Sequence, residues 1–180
     1  MNIITELKKE NKIDYKTNLE SDYIQANINA YEQLTKKEYK KAKDFYEETV
    51  TISKQLNDEY KHTDSLLNLS IAQFFCGKIN KAIDTLETAL RSVEEIQNSK
   101  LYIKILSNLS LSNLAICKKD CITYVSTIIE FIKNEKDVQA RSDLLKTTLN
   151  CFFKFLGESK ASIFPSTIIE TRSQYSASSI

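Results

Sequence analysis

Glycine and proline are nearly absent from this sequence of 180 residues, which holds Gly77, Gly157 and Pro165 and no others of either kind. Sheets and dinucleotide-binding units need such residues repeatedly at hairpins, tight turns and phosphate loops, so the scarcity argues against them. It favours helices joined by short polar turns. Histidine is as scarce: His62 stands alone, so any Ser-His or Cys-His pair would depend on it. Its setting, Tyr60-Lys61-His62-Thr63-Asp64, reads as a solvated polar turn rather than the seat of a general base. No G-x-x-x-x-G-K-[ST], G-x-S-x-G or H-E-x-x-H run occurs, and Glu94-Glu95 and Asp58-Glu59 read as exposed charge. The sequence therefore predicts no catalytic residues and a protein that is not an enzyme.

Charge of one sign is also lacking. Twenty-five Lys and Arg stand against 24 Asp and Glu, a formal charge of +1, which leaves no overall field to hold a polyanion. No nucleic-acid partner is expected, and the tyrosines at 15, 23, 31, 39, 46 and 60 beside Lys36, Lys37, Lys40 and Lys41 read as core packing at helical spacing. No apolar run approaches the roughly 18 residues of a membrane span, and Met1 to Lys9 is too short an apolar run for a signal peptide. The expectation is a soluble cytoplasmic protein without membrane insertion. Cys76, Cys117, Cys121 and Cys151 lie in or beside amphipathic segments and read as reduced small hydrophobes. Cys117 and Cys121 have no second pair, so neither metal nor cofactor is expected. The Asn-Leu-Ser sequons at Asn68 and Asn108 fall inside apolar helical stretches and read as coincidental.

What the sequence does have is an internal repeat. It aligns with itself at a step of 40: Leu34, Phe74 and Leu114 are in step, as are Tyr39 with Ile79, Ala42 with Ala82, Tyr46 with Leu86, and Asn68 with Asn108. Ala82, Ile83, Leu86, Ala89, Leu90 and Val93 form one apolar helical stripe. The preceding stretch carries Leu66, Leu67, Leu69, Ile71, Phe74 and Phe75 around most of its circumference, which predicts a helix buried on several sides. Gly77 is placed to take positive φ between the two helices, and Asp120 to cap a later one. These signals predict a weak helix to about residue 10, then helices near 20–35, 38–56, 60–76, 79–96, 100–117, 120–133 and 137–157. The last carries Leu144, Leu145, Leu149, Phe152, Phe153 and Phe155 and is the natural cap of a stacked array. Residues 1–19 read as an N-terminal extension, 20–157 as the repeat domain and 158–180 as a Ser-rich tail. The tail holds Ile163-Phe164-Pro165 and ends Ser178-Ser179-Ile180, a short match to a ligand for PDZ domains.

The middle unit resembles the tetratricopeptide repeat (TPR). Leu66, Leu69, Ser70, Gly77, Ile79, Ala82, Leu86, Ala89 and Leu90 stand at the signature positions, and Gln73 departs from the aromatic usual there. The first unit keeps Ala30, Tyr39, Ala42 and Tyr46; the third keeps Leu109 and Ser110, with Cys121, Val125 and Ile128 filling the later positions about a residue early. A step of 40 exceeds the usual ~34 and is similar to the long repeats of kinesin light chain and spindle-orientation adaptors. The resemblance implies an all-α, right-handed solenoid of about three TPR-like helix pairs plus a C-terminal capping helix. It further implies an adaptor or scaffold whose concave face binds a peptide or partner protein. The family's groove positions carry over to Asn27 and Tyr31, then Asp64, Asn68 and Ile71, then Lys104, Asn108 and Leu111. Only Asn68 and Lys104 match the subclass that clamps a C-terminal carboxylate, which argues against a clamp. The alternative is a structural subunit built permanently into a larger multiprotein assembly.

Overall fold

The longest helix comes first. A computed structural model of the chain describes the backbone of residues 3–158 and the side chains of residues 15–153, and α1 runs unbroken over Ile3–Thr35. The sequence predicts two helices there. Between them Asn11 to Leu19 holds neither glycine nor proline, so nothing stops a hydrogen-bond ladder that propagates cooperatively once begun. The other helices follow the prediction within about two residues: α2 Tyr39–Leu56, α3 Glu59–Phe75, α4 Ile79–Ile96, α5 Ser99–Ala115, α6 Asp120–Asn134 and α7 Val138–Glu158. The fold is all-α, and none of the described helices is long and apolar enough to cross a membrane.

The turns are the most regular feature. Lys37, Asn57, Gly77, Gln97 and Cys117 all have positive φ, and each stands twenty residues after the last. At four of them the next amide reaches back five residues, from Glu38 to the Gln33 carbonyl, Asp58 to Ser53, Lys78 to Gln73 and Lys118 to Asn113. That bond closes a Schellman motif and satisfies a carbonyl the helix end leaves orphaned. The repeat of 40 is thus two turns of one kind, and only at Gly77 does the sequence show it.

Helices divide into two compact units, Met1–Ile105 and Leu106–Ile180. In the first, Leu19, Tyr23 and Ala26 of α1 pack on Ile52 and Leu56 of α2, while Ala30 and Leu34 pack on Ala42 and Tyr46 of α2 and Leu69 and Ala72 of α3. Ala30, Ala42, Ala72, Ala82 and Ala89 have no exposed surface, so small residues stand where helices come closest. α3 is buried on most sides, as its sequence predicts, through Thr63, Leu66, Leu67, Leu69, Ser70, Gln73 and Phe74 among others. α4 buries the single stripe Ala82, Ile83, Leu86, Ala89 and Val93. Gln73, the departure from the repeat pattern, accepts from the Thr85 hydroxyl at 2.9 Å and so ties α3 to α4.

The second unit begins within α5. Cys117 keeps the step of 40, but Lys119 is α-helical inside the turn, and Cys121 and Ile122 bond back only three residues. Three residues per turn instead of 3.6 rotates the following helix. α6 therefore buries Ile128 and Ile132, one residue ahead of the positions in step with Ala89 and Val93, and leaves Ile122 and Ile129 exposed. Asp120 does not cap it: Lys119 holds the N-cap position, without a side-chain bond, and Asp120 sits in the first turn. α7 buries Leu144 and exposes Leu145, Leu149 and Phe153 along one line. The side chain of Phe155 and the tail from residue 159 lie outside the described residues.

α3 starts on a built cap. The Asp58 carboxylate accepts from the Lys61 amide at 2.9 Å and lies 3.2 Å from the Lys61 ammonium, while Lys61 also grips Glu20 of α1 at 2.8 Å. The amide bond chiefly holds the Asp58 carboxyl below its usual value. Its contribution is then present above pH 3.8 and is lost as pH falls through the lower folded value. Asp58→Ala is expected to cost about 1 kcal/mol at neutral pH and progressively less in acid. Urea midpoints of variant and wild type across the acid range check this; an unchanging gap would contradict it.

Candidate functional site

Besides Tyr15, three residues on one face of α1 break the rule that apolar side chains go inside. Ile24, Ile28 and Tyr31 are 56, 54 and 59% exposed and stand four and three residues apart, so they share one helix face. Forty residues on, the same positions of α3 hold Asp64, Asn68 and Ile71, and a further forty on, α5 holds Lys104, Asn108 and Leu111. A shallow cavity of about 490 Å³ lies along the α1 face, lined by Asn27, Ile28, Tyr31, Glu32 and Thr35.

The polar part is built on α3. Asn68 donates from Nδ2 to the Asp64 carboxylate at 3.1 Å. Burial raises the Asp64 pKa, and the Lys104 charge and the Asn68 bond only partly oppose it. Tyr46 of α2 lies beneath: its hydroxyl is pushed up to about 12, mainly by burial and further by Asp64 and Tyr31. A carboxylate held half-dry beside an amide and within reach of an ammonium charge is suited to receive hydrogen-bond donors or a cation.

The predicted residues fare unequally. Asp64, Asn68 and Lys104 come together in the first unit, Tyr31 and Asp64 both act on Tyr46, and Ile71 packs half-buried against the core. Asn27 borders the cavity, but its amide donates to the Tyr23 carbonyl at 3.0 Å, and the residue in step with Asn68 is Ile28. Asn108 is half-buried. Leu111 is 2% exposed and offers a partner no surface, so it is a core residue rather than a contact. The step of 40 would itself have selected Ile24 and Ile28.

His62 is no solvated turn residue. It lies half-buried in the first turn of α3, Nδ1 3.4 Å from Ser53 Oγ. Ser53 is fully buried and donates to the Val50 carbonyl at 3.0 Å, so this pair joins α2 to α3 and offers no accessible nucleophile.

The raised Asp64 pKa makes a testable statement about stability. From pH 3.8 up to the higher folded value the native state binds more protons, so stability falls as pH rises through that window and the penalty stays above it. Asp64→Asn removes the penalty and should unfold at an equal or higher urea concentration at pH 7, with its advantage shrinking in acid. A lower midpoint at pH 7 would show that the Lys104 and Asn68 interactions outweigh burial.

No known family profile and no curated protein matches this sequence. Among solved structures the chain is similar to a crystal structure of a TPR-like protein from Chlorobium tepidum, with TM-score 0.57 and 13% identity over 78% of this chain and 98% of that one. The likeness establishes a TPR-like helical-repeat fold.

Proposed function

We propose that this chain is an adaptor that binds a peptide or a segment of a partner protein on the face formed by the first helix of each pair. The observation that carries the reading is the exposed stripe Ile24, Ile28 and Tyr31, beside the half-buried cluster of Asp64, Asn68 and Lys104. Apolar side chains of the ligand would cover the stripe, and its backbone or a basic group would meet Asn68 and Asp64. Asn27 and Ile71 border this surface, and Asn108 is its counterpart on α5. The step of 40 supports a place among the long-repeat variants similar to kinesin light chain and spindle-orientation adaptors; a cytoplasmic setting is part of the same proposal. The repeat domain then begins near residue 20, Leu19 being the first buried residue among the described side chains of α1.

The test is selection of peptides from a random displayed library on the full chain, followed by affinity measurement with Ile28→Asp and with Asn68→Ala plus Lys104→Ala. Ile28 is exposed, so the fold should survive. Affinity is expected to fall by roughly tenfold or more in each. Unchanged affinity would move the site elsewhere.

A second reading, a permanent subunit of a larger assembly, is favoured by the line Leu145, Leu149 and Phe153 on α7. Under it the isolated chain self-associates in sedimentation and Leu149→Lys with Phe153→Lys restores a monomer; a monomeric wild type would count against it.

A further inference from the structure

The turns that close the helix pairs of the first unit frame a second site, at the edge of the repeats rather than on the face of α1 and α3. A cleft of about 640 Å³ opens there, floored by Tyr39 and Phe75, whose rings stack with centroids 5.0 Å apart and planes 19° from parallel. Lys37, Lys40, Lys43 and Lys78 line it together with two carboxylates, Glu38 and Asp44. Both carboxylates already have cations: Asp44 lies 2.6 Å from Lys43, and Glu38 lies 3.7 Å from Lys41. Lys43 is further held by Glu47 at 2.9 Å. Lys37, Lys40 and Lys78 are exposed and form no salt bridge among the described residues.

Backbone charge points the same way. α2 and α4 both begin at this edge, and neither has a side-chain cap nor an acidic residue in its first turn, whereas α3, which starts at the opposite edge, is capped by Asp58. Lysines beside the positive ends of helices are disfavoured, a cost that a docked anion would relieve. The field of Lys40 and Lys78 reaches both Asp44 and the Cys76 thiol, so these cations converge on one place.

We propose that this edge docks an acidic segment of a protein partner, its carboxylates meeting Lys37, Lys40 and Lys78 and one of its aliphatic or aromatic side chains entering the cleft over Tyr39 and Phe75. Nucleic acid fits less well. Three unpaired lysines make a short track, and the chain's net charge is +1.

The test measures binding of a short fluorescein-labelled oligoglutamate with one central Phe to the full chain by anisotropy at low salt. Lys37→Glu, Lys40→Glu and Lys78→Glu together should weaken it roughly tenfold or more, because like charges would then face each other. The same three positions as Arg should retain binding. Lys16→Glu, Lys54→Glu and Lys100→Glu, an equal charge change at exposed lysines outside the cleft, should leave it within about threefold. No binding by the wild type, equal losses in both reversals, or tighter binding of an oligothymidylate of the same charge would each overturn the proposal.

Discussion

Leu86→Ala should cost the first unit about 3 kcal/mol of folding free energy. Leu86 is 1% exposed in the middle of the apolar stripe of α4, with Ala82 and Ala89 one turn to either side. Those neighbours are already alanine, placed so that helices can approach closely, and cannot fill the space a lost isobutyl group leaves. The removed transfer energy and the residual cavity therefore add. The urea midpoint of the transition containing the first unit should fall with its slope unchanged. A loss under about 1 kcal/mol would mean that α4 collapses onto α3, and that the stripe is packed less tightly than its burial indicates.

Adding glycine should stabilise this protein, against the usual expectation for helical chains. Lys37, Gln97 and Cys117 hold φ of 62, 56 and 56°, where a Cβ crowds the following carbonyl at a cost of about 1–2 kcal/mol. Each glycine returns part of that through its freer unfolded chain, leaving a gain of about 0.5–1 kcal/mol per site. The three positions are at least twenty residues apart and share no side-chain bond, so the gains should add to about 2 kcal/mol in the triple variant. Gly77→Ala is the converse. A Cβ there meets nothing within 4 Å, so its expected loss of about 1 kcal/mol comes from the backbone alone. Chemical denaturation of both variants decides: a destabilised triple glycine variant would show that the Lys37, Gln97 or Cys117 side chains contribute more than their strained backbone costs.

These turns also mark how far the sequence could be read. Helix positions followed from apolar spacing, because Ala82, Leu86, Ala89 and Val93 repeat what Ala42, Tyr46, Thr49 and Ser53 do forty residues earlier, and all eight are buried. The twenty-residue rhythm was not legible, since lysine, asparagine, glutamine and cysteine occupy the same left-handed turn position as Gly77. The joining of two expected helices into α1 has no sequence signal, because a helix without a breaker needs no apolar stripe to continue. The shifted phase of α6 was visible as Cys121, Val125 and Ile128 standing early, but its cause, a tight turn at Lys119, was not. In the candidate site, the family's groove positions selected Tyr31, Asp64, Asn68 and Lys104 but placed Asn27 one residue from the repeat's own register. They also included Leu111, because polarity and register alone do not reveal which inward positions are closed off by packing.

Hydrogen–deuterium exchange on the full chain, with and without a peptide selected on it, tests the adaptor reading most directly. Protection should appear over residues 24–31 and 64–71, where Ile28, Tyr31, Asp64 and Asn68 lie, and should vanish with Ile28→Asp. Protection confined to residues 145–153 of α7, with 24–31 and 64–71 unchanged, would contradict it.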